Sequence, residues 1–378
     1  MDSTTLEGKG FKKLASPLEN LEGIPRKAAV YVLCLRRQLE RVHGKTDILY
    51  IGQTGDLQNR MNEYGGNWKK EGGTAHRICE NLQQLNEPVD LLFKLAERLK
   101  NEIDKVKEEP LKGKTLGLIF EKPSLRTKVS IEVAMAQLGG YTIYLGPDEI
   151  RLGQREAIKD VAKTLSRYLD GIVARTFRHQ DILGLARHST IPVINGLSDL
   201  SHPCQALADL FTIKEKLGRL KGVKIAFVGD GNNVCNSLLH SCSKLGLNLA
   251  VATPKRYEPK KEIYEEAKEI AKSSGGNVVC YNDPYDAVKD ADIIYTDVWT
   301  SMGQEKESKV RAKAFEGFQV NSKLCSKAKG SCYVMHCLPA HRGEEITDEC
   351  LDGPHSIVFD QAENRLHVEK AILLLLLT

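Results

Sequence analysis

The chain reads as an α/β protein of two doubly wound parallel-sheet domains preceded by a small α+β module. Three observations predict this. From Lys112 to about Leu217, short apolar runs alternate with segments of helical period. A second alternating block starts at Lys224. Ahead of both, residues 1–88 hold tyrosine-bearing strand-like runs and a helix signal without that rhythm. Repeated βαβ units imply a parallel sheet with helices on both faces. A length of 378 residues leaves room for two or three domains.

Composition narrows the function classes. A hydrophobic content of 41% with 28% charged residues is that of a soluble globular protein, which excludes disordered and fibrous chains. The net charge of +4 is too small to argue for a nucleic-acid or membrane surface. The ten cysteines are scattered without a Cys-x-x-Cys pair, so neither a zinc nor a disulfide framework is expected. Reduced thiols suit a cytoplasmic location. Met1 to Thr5 show no signal-peptide core, and the run Ala371 to Leu377 is too short to span a bilayer. That run predicts a buried C-terminal helix.

The elements follow in order. Ala28 to Leu35 and Asp47 to Gly52 read as strands, and Asp56 caps a helix over Leu57 to Tyr64. Tyr31 lies in the first strand, Tyr50-Ile51-Gly52 in the second, and Arg60 and Tyr64 on the helix. This piece resembles the first half of a GIY-YIG nuclease domain, with Ala29 in place of the first glycine. The resemblance implies a metal-binding glutamate on a later helix, and Glu97 is the candidate. Pro88 to Leu95 suits the third strand such a module needs. Yet Leu91, Leu95, Leu99, Ile103 and Val106 recur at helical spacing, as in the first helix of another fold. The helical reading leaves the module without its closing strand and its metal ligand. An inactive appended module is then expected, and any nucleic-acid partner would come only through it.

Further on, strands are predicted at Thr115–Phe120, Thr142–Leu145, Gly171–Ala174 and Ile191–Ile194, with helices between them. Pro123 suits a turn, and Ser124 or Thr127 can cap a helix from about Lys128 to Met135. The second block opens at Lys224 to Asn233, where the turn lacks Gly-x-Gly-x-x-Gly spacing and so does not predict a dinucleotide site. Further strands are predicted at Asn248–Ala252, Asn277–Cys280, Ile293–Thr296, Cys332–His336 and Ser356–Phe359. Ligands of such sheets gather beyond the carboxyl ends of the strands.

Chemistry concentrates first in Ser124-Leu125-Arg126-Thr127. A strand turning sharply into a helix leaves backbone N–H groups open, and these with the helix dipole favour an anion. The two hydroxyls and the fork of Arg126 strengthen that preference. His202-Pro203-Cys204-Gln205 follows, then Asp297 to Gly303, then His336-Cys337-Leu338-Pro339. Together these motifs resemble the signatures of the transcarbamoylases, and within them the ornithine carbamoyltransferases, over about residues 91–378. The resemblance implies a carbamoyl phosphate-binding domain over 89–218, with the C-terminal helix 361–378 packing back on it. It implies an ornithine-binding domain over 219–360.

What the resemblance implies for the residues is as follows. Ser124, the N–H of Leu125, Arg126, Thr127 and Arg175 meet the phosphate. His202, Pro203, Cys204, Gln205, Cys337, Leu338 and Arg365 complete the carbamoyl phosphate site. Arg126, Arg175, His202, Gln205 and Cys337 are the catalytic set, with Cys337 positioning rather than attacking. Asn233, Asp297, Ser301 and Met302 hold L-ornithine, with Asp297 beside its α-ammonium and residues 301–303 as a lid. The product is L-citrulline, no cofactor or metal is needed, and a homotrimer is expected. One departure stands out: Arg151 occupies a position where the family commonly has glutamine, on a loop that reaches a neighbouring site. Rival readings are a transcarbamoylase for another amine and a bifunctional protein with an N-terminal metal-dependent nuclease.

Overall fold

This computed structural model describes residues 86–101, 109–301 and 303–378. Tyr31, Tyr50, Arg60, Tyr64 and Met302 lie outside the described residues. Two all-parallel sheets form the framework. The first contains β1 (Thr115–Phe120), β2 (Tyr141–Leu145), β3 (Gly171–Arg175) and β4 (Val193–Leu197), in the order β2-β1-β3-β4. The second contains β5 (Lys224–Val228), β6 (Asn248–Ala252), β7 (Asn277–Tyr281), β8 (Ile293–Thr296) and β9 (Tyr333–His336), in the order β7-β6-β5-β8-β9. Among the described residues no helix is long and apolar enough to cross a membrane.

The order in which strands are added reverses between β1 and β3 in the first sheet and between β5 and β8 in the second. Each reversal opens a crevice at the carboxyl ends, the usual ligand position of such sheets. The segments after β1, β3, β5 and β8 are those that carry Ser124 to Thr127, Arg175, Asn233 and Asp297. Phe120 pairs with Arg175, so the end of β1 and the end of β3 lie side by side.

The ambiguous stretch around Pro88 is helical, over Asn86–Asn101. Leu92, Phe93, Ala96 and Leu99 are buried in the core with Leu111 and Phe211. Lys100 at its end donates to Glu215 at 2.8 Å and to Asn364 at 2.9 Å. Pro88 to Leu95 therefore cannot serve as a third strand of a preceding module. Glu97 sits on the exposed side of this helix.

A second correction concerns Ser356–Phe359. Ser356 forms one isolated bridge to Val334, and the chain enters the helix Val358–Leu377 at once. Most of that helix is buried, including the run Ala371 to Leu374. Its residues share one core with the helix Asn86–Asn101, β1 and the helix Pro203–Leu217. The last segment of the chain thus packs on the first sheet.

Candidate active site

A cavity of about 1290 Å³ opens between the two sheets. Ser124, Leu125, Arg126 and Thr127 line one side, where β1 turns into the helix Arg126–Gln137. Ser124 Oγ accepts the backbone N–H of Thr127 at 3.3 Å, closing the turn. Leu125 is largely exposed and lines the cavity at its mouth. Arg126 and Arg175 both line the cavity, and among the described residues neither makes a salt bridge. Burial, helped by the charge of Arg365, lowers both guanidiniums below the ordinary arginine range, Arg175 to about 10. Two half-buried cations without a salt-bridge partner, both lining the cavity, favour an anion there.

Arg365 reaches the same place from the C-terminal helix. Its Nη1 donates to Gln205 Oε1 at 2.8 Å and its Nη2 to Thr127 Oγ1 at 3.0 Å. Glu369, one turn later, accepts from Arg365 Nη2 at 2.6 Å. The amide of Gln205 is fixed at its other end too, because Nε2 donates to Asp209 Oδ1 at 2.8 Å. Gln361 donates to the same oxygen at 2.7 Å. His202, just before the helix Pro203–Leu217, is buried and neutral: burial, then the fields of Arg365, Arg175 and Arg126, hold its imidazole well below its usual pKa. Its Nδ1 is buried without a partner.

The second sheet faces this cluster with a different chemistry. Asp297 follows β8; its Oδ2 accepts from Asn232 Nδ2 at 2.7 Å and its Oδ1 from the Cys337 thiol at 3.0 Å. Burial and the adjoining Asp297 push the Cys337 thiol well above its usual range, so it stays protonated. Leu338, at φ 58°, takes a left-handed conformation that an L side chain rarely adopts. It is held there by its N–H donating to His336 Nδ1 at 2.8 Å, while His336 Nε2 faces Glu345 at 3.0 Å. Ser301 lines the cavity and caps Gln304 through its carbonyl. Asp297, His336 and Cys337 offer donor atoms within 4.8 Å of one another, but both His336 nitrogens already have partners.

Residues 79–215 match the family described as "Aspartate/ornithine carbamoyltransferase, carbamoyl-P binding domain", and residues 221–376 match its "Asp/Orn binding domain". An ornithine carbamoyltransferase of Pyrococcus horikoshii is 57% identical over 267 residues, covering 71% of this chain and 84% of the relative. The chain belongs to the aspartate/ornithine carbamoyltransferase family. The corresponding enzyme of Thermococcus kodakarensis is 54% identical over 293 residues, covering 77% of this chain and 93% of the relative. The ornithine carbamoyltransferase structure from Pyrococcus furiosus superposes with a TM-score of 0.76 at 53% identity, covering 78% of this chain and 95% of that one. The structure from Thermus thermophilus gives a TM-score of 0.70 at 49% identity, covering 77% of this chain and 95% of that one.

Within this carbamoyltransferase framework most of the sequence-predicted residues converge. Ser124 to Thr127, Arg175, His202, Gln205, Asn233, Asp297, Ser301, Cys337, Leu338 and Arg365 all line the cavity. Pro203 and Cys204 do not. They open the helix Pro203–Leu217, and the Cys204 thiol is buried toward the Asn195 carbonyl at 3.5 Å. Asn233 spends an Nδ2–H on the Ser198 carbonyl at 2.7 Å and so ties the segment after β4 to the one after β5, which orients its side-chain carbonyl oxygen as an acceptor. Glu97 lies outside the cavity, on a helix of the first sheet's layer.

Sequence reasoning missed several residues that shape the site. Lys122 is buried under Phe177, 4.5 Å from the ring centroid, at the cavity wall. Asp230 pairs with Arg311 at 2.9 Å, and burial lifts its carboxyl to about 6. Asp209, Gln361 and Tyr295 form the support behind Gln205. Lys122 adjoins the motif and was open to notice. The others carry no motif, because their role comes from partners far away in sequence.

Proposed function

We infer that this chain is an ornithine carbamoyltransferase: it transfers the carbamoyl group of carbamoyl phosphate to the δ-amine of L-ornithine, giving L-citrulline and phosphate. The observation that carries this reading is the pair of unpaired guanidiniums, Arg126 and Arg175, facing the buried carboxylate Asp297 across one cavity. A dianionic phosphate belongs with the former and an α-ammonium with the latter. Residues 89–218, with the returning helix 361–378, form the carbamoyl phosphate-binding unit, and residues 219–360 form the ornithine-binding unit.

The phosphate sits in the turn Ser124 to Thr127 and draws on Arg126 and Arg175. Neutral His202 donates its single ring N–H to the carbamoyl oxygen, where charge grows as the amine adds. Gln205 has one lone pair of Oε1 taken by Arg365 and the other left to accept from the carbamoyl amide. Asp297 and the Asn233 carbonyl position the amino-acid end of ornithine. The protonated Cys337 thiol and the Leu338 carbonyl flank the δ-amine and exclude water. Proximity and preorganised donors then supply the acceleration without a covalent intermediate.

The chain acts in the cytoplasm as a homotrimer. Arg151 is exposed and does not line its own protomer's cavity, which supports a role for its loop at a neighbouring subunit. Residues 1–85, ahead of the helix Asn86–Asn101, take no part in carbamoyl transfer. The test is phosphate release from carbamoyl phosphate with ornithine, aspartate and putrescine offered separately, with citrulline identified as the ornithine product. Ornithine should be strongly preferred, and equal turnover of putrescine would remove the role given to Asp297. Light scattering of the eluting protein should report a trimer.

A further inference from the structure

A second cavity of about 320 Å³ lies on the far side of the second sheet and shares no lining residue with the first. Cys325, Cys332 and Cys350 line it. Cys325 ends the short helix Ser322–Cys325, and Cys350 sits in the helix Asp348–Asp352. The two thiols are 25 residues apart in sequence, yet their sulfurs meet at 3.6 Å. Nothing in carbamoyl transfer uses them. We propose that Cys325 and Cys350 form a thiol–disulfide exchange site, which captures a small-molecule disulfide and closes into an intramolecular bridge.

The surroundings assign the two thiols different parts. The two sulfurs lie in contact at 3.6 Å, and this contact lowers the Cys350 thiol and raises that of Cys325. Among the other described cysteines, burial raises Cys204, Cys235, Cys242, Cys280, Cys332 and Cys337. Cys350 is therefore the attacking sulfur and Cys325 the resolving one. The Cys350 thiolate attacks one sulfur of the small disulfide, forms a mixed disulfide and expels the first thiolate. Cys325 then loses its proton to that thiolate and attacks Cys350 Sγ, expelling the second, which leaves as a thiol after taking a solvent proton. The protein dithiol is oxidised by two electrons and the small disulfide is reduced to two thiols, with the proton released by Cys350 on ionising balancing the one taken from solvent.

A lower thiol pKa raises the thiolate fraction but weakens the nucleophile, so at neutral pH capture should exceed that of an ordinary thiol by only about two- to threefold. Ring closure is the larger effect, because Cys325 is already in contact with the bond to be cleaved. Closing from 3.6 Å to a bond of about 2.05 Å asks for a shift of about 1.5 Å between two short surface helices. The bridge would bracket β9 and the loop Cys337 to Pro339, linking thiol oxidants to the wall of the transferase cavity.

The test treats the full chain with 2-hydroxyethyl disulfide at neutral pH, quenches it in acid and maps the digested peptides by mass. A single Cys325–Cys350 cross-linked peptide is expected, with Cys204, Cys235 and Cys242 still free after unfolding. Cys325→Ser should trap the hydroxyethyl adduct on Cys350 in high yield. Cys350→Ser, left with Cys325 alone, should capture the disulfide about two- to threefold more slowly than the wild type, and both variants should retain carbamoyl transfer. Free Cys325 and Cys350 in the treated protein, or an adduct that persists on wild-type Cys350, would overturn the proposal.

Discussion

Arg365 donates from Nη1 to Gln205 Oε1 at 2.8 Å, although the two residues lie 160 positions apart. The contact ties the last helix to the start of the helix Pro203–Leu217 and sets which end of the Gln205 amide faces the cavity. Because Arg365 and Glu369 are both 2% exposed, removing one leaves the other charged and buried. Arg365→Met should therefore lose about 3–5 kcal/mol of stability, read as a drop in thermal midpoint. The double variant Arg365→Met with Glu369→Met should recover most of that stability while citrulline formation stays low. Recovery of both together would show that the arginine serves packing alone.

Arg126→Ala tests the cradle. Loss of a charged hydrogen bond in a desolvated site costs about 2–5 kcal/mol. Carbamoyl transfer should fall by tens to thousands of fold with an unchanged circular dichroism spectrum. Near-normal turnover by the folded variant would contradict the phosphate assignment.

Asp209 gives a pH signature. Burial lifts its carboxyl to about 7, above the roughly 3.9 of an unfolded aspartate. The folded state therefore binds more protons than the unfolded state between about pH 4 and pH 7. Its stabilising contribution is full below about pH 4 and is lost as pH rises through about 7. Both glutamine donors use Oδ1, so Asp209→Asn can keep them. In urea titrations the variant should gain relative to the wild type on going from pH 5 to pH 8, by on the order of a few kcal/mol. A constant difference across that range would mean Asp209 does not titrate there.

The rate should carry a different signature. Ornithine attacks as the neutral amine, whose pKa resembles the roughly 10.4 of lysine. At subsaturating ornithine the rate should rise close to tenfold per pH unit through the neutral range. His202 is neutral well below its usual pKa, so it adds no inflection near 6.5. An inflection that disappears in His202→Gln would assign the titration to that residue.

Removing residues 1–85 should leave carbamoyl transfer within about twofold, since the helix Asn86–Asn101 and everything that lines the cavity are retained. The full chain should show no Mg²⁺-dependent nicking of DNA. Robust nicking lost in both Arg60→Ala and Glu97→Ala would make the protein bifunctional.

Much of the framework was legible because a buried parallel strand is a short apolar run between turn residues. Thr115–Phe120, Asn248–Ala252 and Ile293–Thr296 carry the same bounds in sequence and structure. The fourth strand starts two residues after Ile191 and ends three after Ile194, at Leu197, because Asn195-Gly196, a pair typical of turns, continues it. Asn195 is tolerated there by donating to Ser201 Oγ at 3.0 Å. Ser356–Phe359 misled for a related reason: a short apolar stretch has the same composition whether it is a strand or the first turn of a buried helix. In the site, motif residues were legible by type and spacing. Asp209, Gln361 and Arg311 were not, since a buried polar residue acquires its meaning from partners that only the fold supplies.

The helix Val358–Leu377 has a consequence for how the protein is made. A ribosome emits β1 to β4 long before it adds Arg365, Ala371 and Leu373, the residues that cover the first sheet's core. The nascent first unit must therefore wait, with an apolar face open, until the codons of the helix Val358–Leu377 are read. Independent folding of the leading unit during synthesis is closed to this chain. A frameshift or early stop that removes Ile372 onward should unfold the first sheet's layer rather than the second's.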